Sequence, residues 1–428
     1  MKFLWFVFGL SIATLVAVNS LRINLGFITL PIPLLMLGLI ILVSILTNRG
    51  TTLEREHFGL IILSILLALW SFVSVVANFH NYGIMSSYQT GLEQSVKLLI
   101  SIGAFICILF SYDKDFIINE RIWIAAIWSS TILLTYYIFM SLSTGNLFLT
   151  TNTDDMSIKL GRNITGWFAA MIFPFAFANL YFTPTIKKRL LNAIPLAIIS
   201  FAVVYSISRM AWLMCVISII VMIFSIGRIN ISRAIKLTVS SLIILAIGLI
   251  IIATTLQNYI DLNEITTKLT WFLSPATGIT SDAGVTYDSF NNRFIRIFDG
   301  LTVFFHYPIF GVGPGNFVFH PLSSGGQVHN DYVLSFAETG LGGLILISLL
   351  IFALIFCSKI RRIESNSQGF YWPGVASRAG VVILFFSMIF MDTYRTPQVW
   401  IFFGLIICTI TTERNINEKN NQKHSVIE

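Results

Sequence analysis

Charged side chains are scarce in this sequence. Lys and Arg number 27 and Asp and Glu number 20, so charged residues make up 11% of the 428 positions. A soluble globular protein carries about 25%. Together with a mean hydropathy of +0.82, this scarcity excludes a soluble globular enzyme. An intrinsically disordered protein is excluded as well, because disorder requires low hydrophobicity and 56% of these residues are hydrophobic.

Cysteine is also rare. The four cysteines lie far apart within apolar runs, at Cys107, Cys215, Cys357 and Cys408. Their spacing matches neither a disulfide framework nor a metal site. They are therefore interpreted as small apolar side chains of a hydrophobic interior.

Long apolar runs are the main feature that is present. Runs of roughly 20 residues, the length that crosses a bilayer as a helix, recur along the whole chain. They predict an all-α polytopic membrane protein with these spans: 3–18, 25–46, 58–78, 91–111, 122–142, 164–182, 190–207, 210–226, 237–256, 333–357, 373–391 and 399–412. We expect about 12 transmembrane helices, the second of them kinked at Pro31 and Pro33.

Lysine and arginine indicate the orientation. Placing both termini in the cytoplasm puts the larger share of the 27 basic residues on the cytoplasmic side, including the cluster Lys187-Lys188-Arg189. The net charge of +7 is therefore mostly a signal of membrane orientation. It predicts no nucleic-acid partner.

One segment between the spans is long and polar. Residues 257–332 are predicted to form a large external loop, the longest between any two spans. Apolar residues recur within it at helical spacing, for example at Phe290, Phe294, Ile297 and Leu301. We expect amphipathic helices that lie on the outer face of the membrane or cap a cavity.

Three arginines on the external side are candidate anion ligands. Arg209 follows Ser208 at the junction of two spans, where it is either a ligand or a side chain that extends to the membrane surface. Arg293 and Arg296 are three residues apart and share a helix face, which suits a diphosphate. The alternative is a solvated face on which Arg296 pairs with Asp299.

A histidine stands at the external mouth of a predicted span. His329 precedes the span 333–357, and histidine titrates close enough to neutral pH to serve as a general base. The alternative is an ordinary loop histidine or one that caps the helix. His306 and His320 share the loop, but their spacing matches no zinc pattern, so no metal site is expected.

Two further features lie on the external side. The Gly-rich stretch 308–317 lacks the Gly-Lys-Ser/Thr of a P-loop and is no dinucleotide fingerprint, so it predicts a tight backbone turn. In the short turn before the last span, Asp392 and Arg395 could pair with each other.

Four motifs follow one another along the chain. They are Gly161-Arg162-Asn163; Ser208-Arg209 with Ala211; Arg293 followed by Pro308 and Gly311-Val312-Gly313-Pro314-Gly315-Asn316-Phe317; and His329-Asn330-Asp331-Tyr332 with Glu338-Thr339-Gly340-Leu341-Gly342-Gly343. In this order they resemble the motifs of the bacterial O-antigen ligase and polymerase superfamily. The motifs cover about residues 160–345, and the first five spans are matched by topology alone.

The resemblance implies a metal-independent glycosyltransferase of the GT-C type that uses no cofactor. Its donor is a glycan on undecaprenyl diphosphate, and its acceptor is lipid A-core or a second lipid-linked glycan at the periplasmic face of the bacterial inner membrane. His329 is then the general base, and Arg209 and Arg293 bind the diphosphate with help from Arg296 and Arg162. The expected supporting residues are Asn330, Glu338, Gly313 and Gly315.

The resemblance also divides the chain into parts and ranks its functions. The parts are an N-terminal transmembrane bundle at 1–158, a ligase/polymerase core at 159–358, C-terminal spans at 359–412 and a cytoplasmic tail at 413–428. A single large external loop favours a ligase over the alternative of a polymerase, which often has two. A lipid-linked glycan transporter also has a suitable number of spans, but no repeat relates the two halves of this chain.

Overall fold

The computed structural model describes most of the chain and leaves gaps between the described ranges. These ranges are 22–24, 29–31, 55–79, 85–111, 116–143, 162–206, 208–225, 284–326, 328–358, 372–391 and 393–425, together with residues 232, 235, 239, 243 and 250. The predicted spans 3–18 and 237–256 lie largely or wholly outside them.

The described elements are helices, apart from one short antiparallel pairing. The strands are β1 (Arg22–Asn24) and β2 (Thr29–Pro31). The helices are α1 (Arg55–Ala77), α2 (Met85–Ser111), α3 (Phe116–Ser143), α4 (Arg162–Phe182), α5 (Ile186–Tyr205), α6 (Arg209–Ser225), α7 (Gly284–His306), α8 (Asp331–Thr339), α9 (Gly342–Ser358), α10 (Trp372–Ser387) and α11 (Pro397–Ser425). The strand β2 lies inside the predicted span 25–46, which is therefore not helical at residues 29–31, and the rest of that span lies outside the described residues.

Five of these helices, α1 to α5, are long and apolar enough to cross a membrane. They coincide with predicted spans to within a few residues, and α6, α9 and α10 are shorter apolar helices. The chain is therefore a multi-pass helical membrane protein. The total of twelve spans stays a prediction.

Helix α4 lies at the centre of the bundle. In its most apolar stretch, 89% is buried inside the protein, against 39–50% for the other four long helices. Phe175 of α4 stacks on Trp123 of α3 with ring centroids 3.6 Å apart, and Phe402 of α11 packs edge-on against both rings. Gly380 of α10 has no side chain and lets that helix approach Phe175 closely. Three helices therefore pack around α4. Helices α3 and α11 do so through aromatic rings, which favour such stacked and edge-on geometries, and α10 does so at a glycine.

Polar contacts define one end of this bundle, here named the Glu413 end. There Trp372 donates to Glu120 at 2.8 Å, Arg378 pairs with Glu413 at 2.7 Å, and His57 hydrogen-bonds Thr411 at 3.0 Å. Helix α11 continues past residue 412, and Glu413 is buried. The helix of the last predicted span therefore continues without interruption into the predicted tail, and the boundary at residue 412 stays a prediction.

The opposite end, named the His329 end, follows from the helix directions. Helix α3 begins at the Glu413 end and finishes beside the end of α5, where Ser141 hydrogen-bonds Tyr205 at 2.9 Å. Helix α4 leads into α5 by a short turn, so the first residue of α4, Arg162, lies at the His329 end. Helix α10 also finishes there, since the backbone N–H of Asp331 donates to Met388 at 2.7 Å.

The predicted span 333–357 is wrong as a single helix. It is two helices, α8 and α9, separated at Gly340, whose φ is +58°. A side chain at Gly340 would overlap the backbone carbonyls of Pro308 and Ile309. Hydropathy did not reveal this break, because the polar residues beside it, Glu338 and Thr339, are flanked by long apolar stretches.

That neighbouring turn is the Gly-rich stretch, which closes the C-terminal end of α8. Val312 and Gly313 donate their N–H groups to the carbonyls of Ala337 and Glu338 at 3.0 and 2.8 Å. From α1, Trp70 donates to Thr339 at 2.9 Å. The last carbonyls of α8, which have no partner within the helix, are thereby satisfied. The predicted tight turn is confirmed, with φ of +61°, +88° and +76° at Gly311, Gly313 and Gly315.

The turn gives a direct test of the fold. Gly311→Ala should lower the melting temperature of the detergent-solubilised protein by several degrees. Its left-handed backbone costs an L-residue roughly 1–2 kcal/mol, and the added Cβ would overlap the backbone of Glu338.

The matched control is Gly103→Ala, because a Cβ there meets no atom within 4 Å. In a helix, alanine is favoured over glycine by about 1 kcal/mol, so the control should melt at or slightly above the wild-type temperature. Equal melting temperatures for the two variants would contradict the role assigned to the turn.

Candidate functional site

His329 has an unusual backbone conformation. Among the described residues it is the one non-glycine with a positive φ, at +51°. Its neighbours hold it on both sides: Val328 is fully buried, and the Asn330 side chain accepts the N–H of Val333 at 3.0 Å as the N-cap of α8. Because Asn330 is the cap, His329 is not one. Residues held in sparsely populated conformations concentrate at functional sites, and His329 is itself half-buried.

Asp331 anchors the first turn of α8. It is fully buried, and its Oδ2 accepts the N–H and the hydroxyl of Thr393, both at 2.9 Å, and the N–H of Tyr394 at 3.0 Å. The chain just after His329 is therefore fixed to the turn that precedes α11.

Helix α7 brings its two arginines to the same place. A Cβ on Gly326 would lie 2.6 Å from Cζ of Arg296, and one on Gly300 would lie 2.6 Å from Val333. Arg293, Arg296 and Gly300 share a helix face. This face therefore lies against the segment that contains His329. The predicted sharing of one helix face by Arg293 and Arg296 agrees with this helix.

The other side of α7 is apolar and exposed. Phe294, Phe298 and Phe305 are 50%, 63% and 75% exposed. The helix is therefore amphipathic, as its spacing predicts, and its arginines lie on the side that faces α8.

Arg209 and Arg162 lie at the same end of the bundle on different helices. Arg209 is exposed and begins α6. Just before it, Ser208 packs against Gly166 so closely that a Cβ on Gly166 would lie 2.9 Å from the Ser208 Cβ. Arg162 precedes Gly166 by one helical turn. The tight α4–α6 junction therefore places both arginines at the His329 end.

The predicted base and the four predicted diphosphate ligands thus lie towards the same end of the bundle. They are Arg162, Arg209, Arg293, Arg296 and His329. Their convergence depends on three separate junctions, those of α4 with α6, α7 with α8, and α8 with α10.

Arg395 has a partner that the sequence does not reveal. It pairs with Glu338, Nη2 to Oε2 at 2.9 Å. The expected pairing of Asp392 with Arg395 stays a prediction, because Asp392 lies outside the described residues. Glu338 is almost fully buried, and Arg395 also lies over the ring of Tyr394 at 5.1 Å. The partners are 57 positions apart in the sequence, so no local pattern signals the pair.

The other predicted supporting residues have structural contacts. Gly313 and Gly315 belong to the turn that closes α8, and a Cβ on Gly315 would crowd Gln94 and Thr90 of α2. Asn330 is the cap described above. Within the described ranges, no three His, Cys, Asp or Glu side chains form a group that could hold a metal ion. Independence from metal stays a prediction.

The comparison with known families bears on this arrangement. Residues 194–348 match the model of the family described as O-Antigen ligase. This segment, here named the matched segment, is therefore similar to an O-antigen ligase domain. The match confirms the resemblance to the O-antigen ligase and polymerase superfamily, and it spans a little over a third of the chain. No curated protein and no solved structure gives a significant match.

The matched segment contains four of these five residues. Arg209, Arg293, Arg296 and His329 lie inside it, whereas Arg162 lies outside. The turn that binds the Asp331 side chain also lies outside it, in the connection between α10 and α11. The geometry around His329 therefore depends on contacts with a later part of the chain.

The loop beside the candidate site contains a buried histidine, His320. Its ring meets Tyr307 edge-on at 5.4 Å. Burial, and to a smaller extent the nearby His306, lowers the pKa of His320 below its usual 6.5. The stabilisation from a neutral imidazole is present above the unfolded pKa and is lost as pH falls towards the folded one.

We therefore expect the loop 307–330 to loosen below about pH 6.5. Its backbone amides should exchange faster at pH 5.5 than at pH 7.5, after correction for the intrinsic effect of pH. His320→Phe should remove most of this difference, whereas His306→Asn should keep most of it because burial is the larger cause. An equal pH response in wild type and His320→Phe would contradict the assignment.

Proposed function

We propose that this protein is a membrane glycosyltransferase that moves a glycan from undecaprenyl diphosphate onto an acceptor sugar hydroxyl. We propose further that it acts as an O-antigen ligase, with lipid A-core as the acceptor. The observation that carries the proposal is the convergence of Arg209, Arg293, Arg296 and His329, all within the matched segment, at one end of the bundle.

The proposed reaction needs a base and an anion-binding group on the same side. His329 accepts the proton of the acceptor hydroxyl as its oxygen attacks the anomeric carbon of the donor sugar. A glycosidic bond forms, and the bond from that carbon to the diphosphate oxygen breaks. Undecaprenyl diphosphate leaves with the electron pair. Arg209 and Arg293 bind the leaving group, because guanidinium forms bidentate hydrogen bonds with phosphate oxygens.

The charge bias of the sequence supports a location and an orientation. Both termini are proposed to lie in the cytoplasm and the His329 end in the periplasm, with the chain in the bacterial inner membrane. The donor diphosphate and the acceptor then meet at the membrane surface. The exposed phenylalanines of α7 are consistent with a helix near lipid.

The first test replaces His329 with Ala in the native strain. Polymer should disappear from the lipid A-core and accumulate on undecaprenyl diphosphate, because the acceptor hydroxyl has lost its base. Surface lipopolysaccharide on a gel, together with the lipid-linked pool, measures both. The matched control is His306→Ala, a second histidine at the same end whose exposed ring bonds its own helix.

The other outcomes distinguish the alternatives. Core that bears a single repeat unit would indicate a polymerase, which joins repeat units on the lipid carrier. An unchanged ladder at normal protein levels would remove His329 as the base. Activity of the purified protein on lipid-linked glycan in detergent would exclude a transporter, since no compartments remain.

The arginines give a second test. Arg293→Ala should lower the rate of transfer about 10²–10³-fold, the usual effect of removing one group that stabilises developing negative charge. Arg293→Lys should recover only part of this, because an ammonium cannot form the bidentate contact. Arg121→Ala, which removes an exposed arginine at the Glu413 end, is the control and should leave transfer unchanged. Equal activity of Arg293→Ala and Arg121→Ala would contradict the proposed role.

A further inference from the structure

Two buried carboxylates on α8 contact the same turn. Asp331 and Glu338 are 0% and 1% exposed and lie seven residues apart, which is two helical turns, so they share a face. Asp331 binds the N–H groups of Thr393 and Tyr394, and Glu338 pairs with Arg395. Both ends of this short helix are therefore fastened to residues 393–395, here named the clamp turn.

The contacts of Asp331 are the more extensive. One carboxylate oxygen accepts three hydrogen bonds of 2.9–3.0 Å, two from backbone N–H groups and one from the Thr393 hydroxyl. The backbone N–H of Asp331 also donates to Met388 at 2.7 Å. A buried carboxylate is costly unless it is paired or hydrogen-bonded, so these contacts fix the relative position of α8 and the clamp turn.

His329 lies two residues before this anchor. Its φ of +51° is unfavourable for a residue with a side chain and persists only where the surroundings enforce it. The enforcing contacts on the C-terminal side are those of Asp331 and of the Asn330 cap. Released from the clamp turn, the chain at His329 would relax towards negative φ and carry the imidazole to another position.

We propose that Asp331 is a positioning residue, which sets the place of the His329 imidazole by fastening α8 to the clamp turn. This inference rests on the proposed function of His329 as the base. It adds that the site within the matched segment is incomplete without residues 393–395, which lie outside that segment. Catalytic geometry is sensitive to such a shift, since a displacement of about 1 Å can lower a rate 10²-fold.

The test uses full-length purified protein, an undecaprenyl-diphosphate-linked glycan and lipid A-core. Asp331→Asn keeps the size of the side chain but weakens its hydrogen bonds. We expect kcat to fall about 10–100-fold, with KM for the donor within about twofold because the arginines are untouched. The pH at which activity rises should stay that of wild type, since the base is still His329.

Thr393 supplies a milder pair of variants that retain the carboxylate. Thr393→Val removes one of the three donors to Asp331, and Thr393→Ser keeps it. We expect a fall in kcat of about three- to tenfold for the valine variant and wild-type kcat for serine, in line with partial misplacement. Hydrogen exchange of residues 326–331 should be faster in Asp331→Asn and Thr393→Val than in wild type.

A carboxylate elsewhere at this end provides the control. Glu93 pairs with Lys97 on α2, and Glu93→Gln should change neither kcat nor the exchange of residues 326–331. Wild-type kcat in both Asp331→Asn and Thr393→Val, with His329→Ala inactive, would overturn the positioning role and leave the proposed function intact. Full activity of His329→Ala would instead overturn the proposed function itself.

Discussion

The closure of helix α8 at both ends is the constraint on which the site depends. At its C-terminal end, the Gly-rich turn and Trp70 satisfy carbonyls that would otherwise be buried without partners. At its N-terminal end, the Asn330 cap and the Asp331 carboxylate hold the chain beside His329. In a membrane protein such unpaired groups are expensive, because lipid supplies no hydrogen bonds in place of water.

Glycine is what allows this closure. At Gly311 and Gly340 the backbones of two segments approach so closely that any side chain would overlap the backbone of the other segment. Gly300 allows α7 to lie against Val333, and Gly166 allows α4 to meet Ser208. The glycines of α4 and α7 thus let the helices that carry arginines pack against their neighbours. The other two let the Gly-rich turn close α8. Close packing of backbones at small residues is also the usual means of helix association in membranes.

Much of the scaffold could be read from the sequence, because hydropathy and helical period are local properties. The spans α1 to α5 and the arginine face of α7 follow from apolar runs and from three-residue spacing. The break at Gly340 was not foreseen from hydropathy, because the few polar residues of 333–357, among them Glu338 and Thr339, do not interrupt the long apolar run. The pair of Glu338 with Arg395 was not foreseen either, because the two residues lie 57 positions apart in the sequence.

The sequence by itself determined that this is a helical membrane protein, and its motifs indicated the O-antigen ligase and polymerase superfamily. It also made the basic residues and the histidine of the external side candidates for the site, because charges are few in so apolar a chain. Only the tertiary structure decided that α4, α6, α7 and α8 bring those residues to one end. It alone decided that a turn beyond the matched segment fastens Asp331. Such contacts join residues far apart in the chain, and packing rather than local pattern selects them.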